Sequence, residues 1–320
     1  MDRNPLTGVG FALLCLALLG AMPVLSNARP PGSDALSFAI WTTVWQLLAA
    51  LPLFLVERGR ANAPERPARP PAMGRVRLGL VALATGAMFG LSTYLYVLCA
   101  MKAGPVSMVI ALQAYPFIAM GLEAAFLGKR RSRAEVGCTL LMVAALAYLA
   151  TGGRFSLGAL SWWTLLALAI PLLWSMAHLL LKRVLETTPI TPNQVTVSRL
   201  VISGACLLLL QAVLGEGGQL AAAWSEPGFQ RAAIILGGAY YLELLFWFHA
   251  MRHIDVSVAS AVTVPAPAVT MLLSALFLGA GIETYQVAAM LLIAASLLGL
   301  LLAGRASAAS RRAAVLRAPR

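Results

Sequence analysis

The 320-residue chain is 60% hydrophobic and only 11% charged, with a formal net charge of +12. A water-soluble domain carries roughly 25% charged residues, so one core cannot hide this much apolar surface and lipid must be part of the solvent. The same hydrophobicity sets nucleic-acid binding aside, because the excess Lys and Arg falls between apolar runs rather than on a polar domain.

Hydropathy divides the chain into ten spans of about 20 residues, the length a helix needs to cross ~30 Å of hydrocarbon. They cover about 6–26, 35–56, 77–100, 105–127, 135–152, 159–181, 193–214, 231–251, 256–278 and 283–303. Helices are the spans expected, since open strands leave backbone groups unpaired in lipid and no segment alternates like a barrel strand. The expected fold class is therefore all-α, a polytopic membrane protein.

The first span is read as retained rather than as a signal peptide, because its apolar region is long and no small-x-small cleavage pattern follows. The second carries Trp41 and Trp45, and GRANAPERPARPPAMG (59–74) after it reads as a mobile loop. The third carries Tyr94, Tyr96 and a G-x-x-x-G pattern at Gly86 and Gly90, which favours close helix contact. In the fourth, Gln113 and Tyr115 precede Pro116, with Glu123 further along. A second boundary lies at GGRFSLG (152–158), between five spans and five.

In the sixth span, Trp162 and Trp163 are expected as interfacial anchors, and Trp174 and His178 follow inside the membrane. The seventh holds Arg199, and the eighth Tyr240, Tyr241 and Glu243, with His249 at its edge. Pro265 and Pro267 interrupt the ninth. After the tenth, residues 305–320 form a basic tail expected against anionic lipid. Cys15, Cys99, Cys138 and Cys206 all fall within spans, without metal-ligand spacing or a disulfide framework. Neither a metal nor a cofactor is expected.

With the N-terminus in the cytoplasm, nineteen of the 24 Lys and Arg fall on the cytoplasmic side. Four (Arg29, Lys102, Arg154 and Arg231) fall opposite, and Arg199 lies within a span. The positive-inside rule then puts both termini inside.

The chain also repeats itself. At an offset of 150, Leu95, Ala100, Met101, Val106, Ser107 and Ala111 match Leu245, Ala250, Met251, Val256, Ser257 and Ala261, with Lys102 falling on Arg252. At 151, Pro116, Phe126, Leu127 and Gly128 match Pro267, Phe277, Leu278 and Gly279. Residues 1–153 and 154–304 read as two five-helix units, and an odd number of spans per unit inverts the second against the first. Such a duplication lends itself to alternating access.

Ten spans in two inverted halves, with A-M-[KR]-x(3–4)-V-S leading to a proline and then F-L-G, resemble the EamA-like branch of the drug/metabolite transporter superfamily. The resemblance implies a secondary transporter in a cell membrane, as in the bacterial inner membrane, that exports small molecules and is not an enzyme. The sequence departs from the family at Gly128-Lys129 and Gly279-Ala280, where Gly-Glu is usual. The arginine usual in the second span of each half is present as Arg199 and replaced near Trp45-Gln46.

Ionisable groups inside a span cost about 2.5–3.5 kcal/mol on insertion scales and are functional candidates. Glu243 lies roughly 12 Å and Arg199 roughly 9 Å from the cytoplasmic ends of their spans, so the two are expected to share a wet cavity. Glu243, Glu123 and His178 are the coupling candidates. A proline frees carbonyls of the preceding turn, and paired interruptions mark a transporter's midplane site. The expected substrate-binding set is thus Trp41, Trp45, Tyr94, Gln113, Tyr115, Pro116, Trp174, Arg199, Tyr240, Glu243, Pro265 and Pro267. No catalytic residues are assigned. The expected partners are a small amphipathic molecule, such as an amino acid or a drug-like compound, and the lipid bilayer. Monomer and homodimer are equally open. A membrane-embedded enzyme acting on lipid-linked substrates, or a channel, is the alternative.

Overall fold

The computed structural model describes residues 5–61, 74–127, 132–188, 190–215, 218–254, 262–263 and 265–317. Arg3, Gly128, Lys129, Val256, Ser257, Ala261 and most of the Pro- and Arg-rich loop lie outside these residues. The side chains of Pro116, Glu123, Met251 and Arg252 also lie outside what is described.

Among the described residues the regular structure is helical. The helices are α1 (Pro5–Asn27), α2 (Ala35–Ala61), α3 (Arg75–Lys102), α4 (Pro105–Leu112), α5 (Tyr115–Leu127), α6 (Arg133–Ala150), α7 (Trp162–Ala167) and α8 (Ala169–Thr187). They continue with α9 (Pro192–Leu214), α10 (Gln219–Trp224), α11 (Pro227–His253), α12 (Ala266–Leu278) and α13 (Thr284–Arg317). Short α10 has no counterpart among the ten expected spans, and α13 runs on past residue 304 as helix.

Local sequence explains where helices start and break. Ser132 with Glu135, and Thr191 with Gln194, form capping boxes that satisfy the first amides of α6 and α9. The fourth expected span breaks at Gln113 and Ala114, whose amides make tight three-residue bonds to Ile110 and Ala111. Pro116, two residues on, has no N–H for the Leu112 carbonyl. The sixth span breaks the same way at Leu168, three residues before Pro171. The two broken helices lie side by side, α4 packing on α7 and α5 on α8.

Among the described residues, seven helical segments are long and apolar enough to cross a membrane: 6–27, 35–59, 76–102, 105–122, 133–150, 162–181 and 193–214. Two shorter apolar helices cover 266–278 and 284–300. The chain is a multi-pass membrane protein. At 27 residues α11 is about 40 Å long, enough to cross the hydrocarbon, and it carries Gln230, Arg231, Tyr240, Tyr241, Glu243 and His249 among its apolar residues.

Helix α11 packs against α1 and α2, α3 packs against α8 and α9, and α2 also meets α9. Around them α6 pairs with α13, α1 with α12, and α4 with α12. One core cluster includes Phe38, Tyr96, Ile170, Leu207, Phe229 and Leu236. A second joins Ile110, Phe117, Met142, Leu149, Ile293 and Leu297.

Two seams are built on glycine. A Cβ at Gly86 would lie 2.5 Å from Ile202 Cγ2 and 3.4 Å from the Arg199 carbonyl, so α3 sits almost backbone-to-backbone on α9. A Cβ at Gly237 would lie 2.7 Å from the Thr42 carbonyl, 2.9 Å from the Gln46 amide nitrogen and 3.0 Å from Trp45 Cβ. Small residues of this kind set how closely membrane helices approach.

Candidate functional site

The seams enclose a cavity of about 420 Å³, within the roughly 300–1,000 Å³ typical of small-molecule sites. Helix α3 lines it with Phe89, Ser92, Thr93 and Tyr96, and α11 with Tyr240, Glu243, Leu244 and Trp247. Each quartet has the spacing i, i+3, i+4, i+7, a single helix face. The quartets stand 151 residues apart, member for member. Thr43 and Gln46 on α2 face the same space, as do Leu200 and Ser203 on α9, 157 residues later. Trp174 and His178 on α8, and Leu112, Gln113 and Tyr115 around the α4–α5 break, close the wall.

The charges are few and unpaired with each other. Arg199 and Glu243 line the same cavity without forming an ion pair. The Arg199 guanidinium lies over the Phe89 ring, 4.2 Å from its centroid, a cation–π contact that suits a partly desolvated cation. Its buried Nε has no hydrogen-bond partner. Glu243 Oε1 accepts the Cys15 thiol at 3.3 Å, and Cys15 is fully buried.

The remaining polar groups fix the wall. Trp174 Nε1 donates to Ser92 Oγ at 2.9 Å, and Ser92 in turn donates to the Phe89 carbonyl. Ser203 donates to the Gly86 carbonyl at 2.7 Å, holding α9 on α3. Tyr115 OH and His178 Nδ1 lie 3.2 Å apart, joining α5 to α8. His178 is exposed to the cavity. The Tyr96 and Tyr240 rings meet edge to face at 5.5 Å. This chamber can desolvate an apolar body while presenting one cation, one carboxylate and several hydrogen-bonding tips. Among the described residues no cluster of His, Cys, Asp and Glu could hold a metal ion.

Of the residues picked from sequence, Gln113, Tyr115, Trp174, Arg199, Tyr240, Glu243 and His178 meet at this cavity. Trp41 and Trp45 do not. Trp41 stacks on Trp224 at 4.9 Å and donates to the Leu220 carbonyl, and Trp45 donates to Gln230 Oε1 at 2.8 Å. Both anchor α2 to α10 and the start of α11. Tyr94 packs beside the main core. Pro265 is exposed before α12, and Pro267 borders a separate void of about 10 Å³. Gln46, Phe89, Ser92, Tyr96, Ser203 and Trp247 line the cavity as well, outside the substrate-binding set expected from sequence. The 150-residue offset expected for this segment puts Tyr240 and Glu243 on Gly90 and Thr93; the cavity linings match one residue further, at 151, where they fall on Phe89 and Ser92.

Compared with known proteins, residues 161–302 match the EamA-like transporter family. No curated protein matches the chain significantly. One solved structure, described only as the crystal structure of a protein, is 17% identical and aligns over 93% of this chain and 98% of that one. Its TM-score is 0.61, and at that identity the likeness speaks for the fold alone.

Proposed function

From the match of residues 161–302 to the EamA-like transporter family, a family of transporters and not of enzymes, we propose that the whole chain is a secondary carrier working by alternating access. Residues 1–153 and 154–304 act as its two inverted five-helix halves, with both termini in the cytoplasm. The carrier moves a small amphipathic metabolite of the amino-acid or drug-like class outward. Arg199 and Glu243 receive its charged groups, Trp174, Tyr240 and Tyr115 its apolar body, and Glu243 carries any coupled proton.

The observation that carries this reading is the matched lining, in which Phe89, Ser92, Thr93 and Tyr96 recur 151 residues later as Tyr240, Glu243, Leu244 and Trp247. Gly86 and Gly237, also 151 apart, support it from the seams. Gly86 meets Arg199 and Ile202, while Gly237 meets Thr42 and Trp45, and both pairs are related by 157 residues. The helix contacts follow the same rule, since α3 on α9 mirrors α11 on α2, and α3 on α8 mirrors α11 on α1. A cavity on such an axis can open to either side when the halves exchange conformations. By this register the counterpart of Arg199 is Thr42, one turn before the Trp45-Gln46 expected from sequence.

The test is reconstitution in liposomes with a labelled panel of amino acids and drug-like amines and acids, with and without a pH gradient. Saturable flux of at least one compound is expected. Absence of flux for the whole panel, alongside chemical turnover of a lipid-linked substrate, would overturn the carrier reading in favour of an enzyme.

A further inference from the structure

The cavity walls are chemically unequal. Arg199, Glu243 and His178 all come from the second half, while the facing positions on α2 and α3 carry Thr43, Gln46, Ser92 and Thr93. Nearly all the neutral polar side chains nearby are committed to the protein. Thr43 donates to the Ala39 carbonyl, Ser92 to Phe89, Thr93 to Phe89 and Ser203 to Gly86. Gln230 bridges Trp45 and Ala223, and Gln286 donates to Ser107.

Gln46 and Gln113 are the exceptions, and Gln46 is the more buried of the two. It is 5% exposed, lines the cavity, and its amide makes no hydrogen bond to the described residues. The amide opens onto the cavity, where it offers two donors and an acceptor, and covering it with an apolar group that leaves it unpaired would cost about 1–3 kcal/mol. The close contact of Gly237 with the Gln46 backbone pins this part of α2 on α11. Gly237 is six residues from Glu243, so the Gln46 and Glu243 backbones stand roughly 9 Å apart along the bundle.

We propose that Gln46 is a specificity-determining residue. It hydrogen-bonds an uncharged polar group (a hydroxyl, an amide or a ring N–H or C=O) at the end of the substrate remote from its charged head. The inference rests on the carrier reading above and narrows the substrate class to bifunctional molecules, charged at one end and neutral but hydrogen-bonding about 9 Å away. A molecule with a plain hydrocarbon end leaves the amide unpaired and is disfavoured.

Three matched pairs of probes test this, each differing by one hydroxyl and covering zwitterion, cation and anion. They are tyrosine with phenylalanine, tyramine with phenethylamine, and 4-hydroxyphenylacetate with phenylacetate. Flux and competition are measured in proteoliposomes for the wild type, Gln46→Leu and Gln46→Glu, each checked for a monodisperse profile in detergent. The wild type should favour the hydroxylated member of at least one pair by about fivefold or more, and Gln46→Leu should level the two. If Gln46→Leu does not fold, Gln46→Glu, of the same shape, should change the ratio by a similar factor. Flux without hydroxyl preference, or a preference unchanged in a folded variant, overturns the role of Gln46 and leaves the carrier standing. No saturable flux or binding for any of the six overturns the role of Gln46 and the bifunctional substrate class, and the carrier reading then stands or falls on the wider panel.

Discussion

Glu243 accepts the Cys15 thiol at 3.3 Å, and Ser92, 151 residues earlier, accepts the Trp174 indole N–H at 2.9 Å. Each acceptor faces the cavity from α11 or α3, and each donor comes from the neighbouring helix, α1 or α8. The two sites share a geometry but differ in charge, so a proton can be exchanged at Glu243 and not at Ser92. Glu243→Gln keeps the shape and removes the charge. We expect the variant to fold and to exchange substrate across the membrane, with accumulation driven by a pH gradient falling by about tenfold or more. Uptake with and without the gradient checks this, and accumulation equal to the wild type would take Glu243 out of coupling.

Arg199 rests on Phe89 and lines the cavity, so its guanidinium is expected to give hydrogen bonds to a ligand anion. Arg199→Ala should raise the KM for anionic or zwitterionic substrates about ten- to hundredfold, from the loss of a charged hydrogen bond of about 1.5–3 kcal/mol. Arg199→Lys should recover only part, since an ammonium neither stacks as a plane nor forks. Initial-rate kinetics at several substrate concentrations separate KM from kcat.

Much of this was legible from residue order. Hydropathy placed most of the described helices, and Pro116 announced the α4–α5 break because a missing amide must interrupt the ladder. Pro171 carried the same message for the α7–α8 break, but the span around it was read as continuous. The cavity was half legible. Charged groups in lipid are costly, so Arg199 and Glu243 stood out, whereas Ser92, Tyr96 and Gln46 are ordinary residues whose exposure to a cavity depends on helix rotation. Trp41 and Trp45 misled for the converse reason. Their partners, Leu220, Trp224 and Gln230, lie about 180 residues away, and composition says nothing of which way an indole turns.

The α2–α11 seam predicts a position-specific cost. Gly237→Ala would push a methyl to within 2.7 Å of the Thr42 carbonyl, and backbone cannot step aside as a side-chain tip can. A loss of about 1–3 kcal/mol is expected, seen as a lower Tm in detergent. Gly238→Ala meets nothing within 4 Å and should be neutral, or stabilising by up to about 1 kcal/mol through helix propensity.

The proposed orientation is open to labelling. Pro31, Gly59 and Ser225 are exposed at helix ends, so single cysteines there, in a background with the native four replaced, should accept a maleimide. A membrane-impermeant reagent should label Pro31→Cys and Ser225→Cys in intact cells and Gly59→Cys only after permeabilisation. The reverse pattern would invert the topology, and labelling of all three from outside would break the span assignment.

The aligned breaks in α4–α5 and α7–α8 make a joint with two limbs. The limbs α4 and α7 pack on each other beyond it, and α5 and α8 pack on each other before it, pinned by Tyr115 and His178. A bend at that shared level would carry α5 and α8 together, against α3, on which α8 also packs. It would break no intact helical turn, because the hydrogen bonds concerned are already missing at Pro116 and Pro171. The glycine seams of α3 on α9 and of α11 on α2 include neither α5 nor α8, so such a bend would leave both in place.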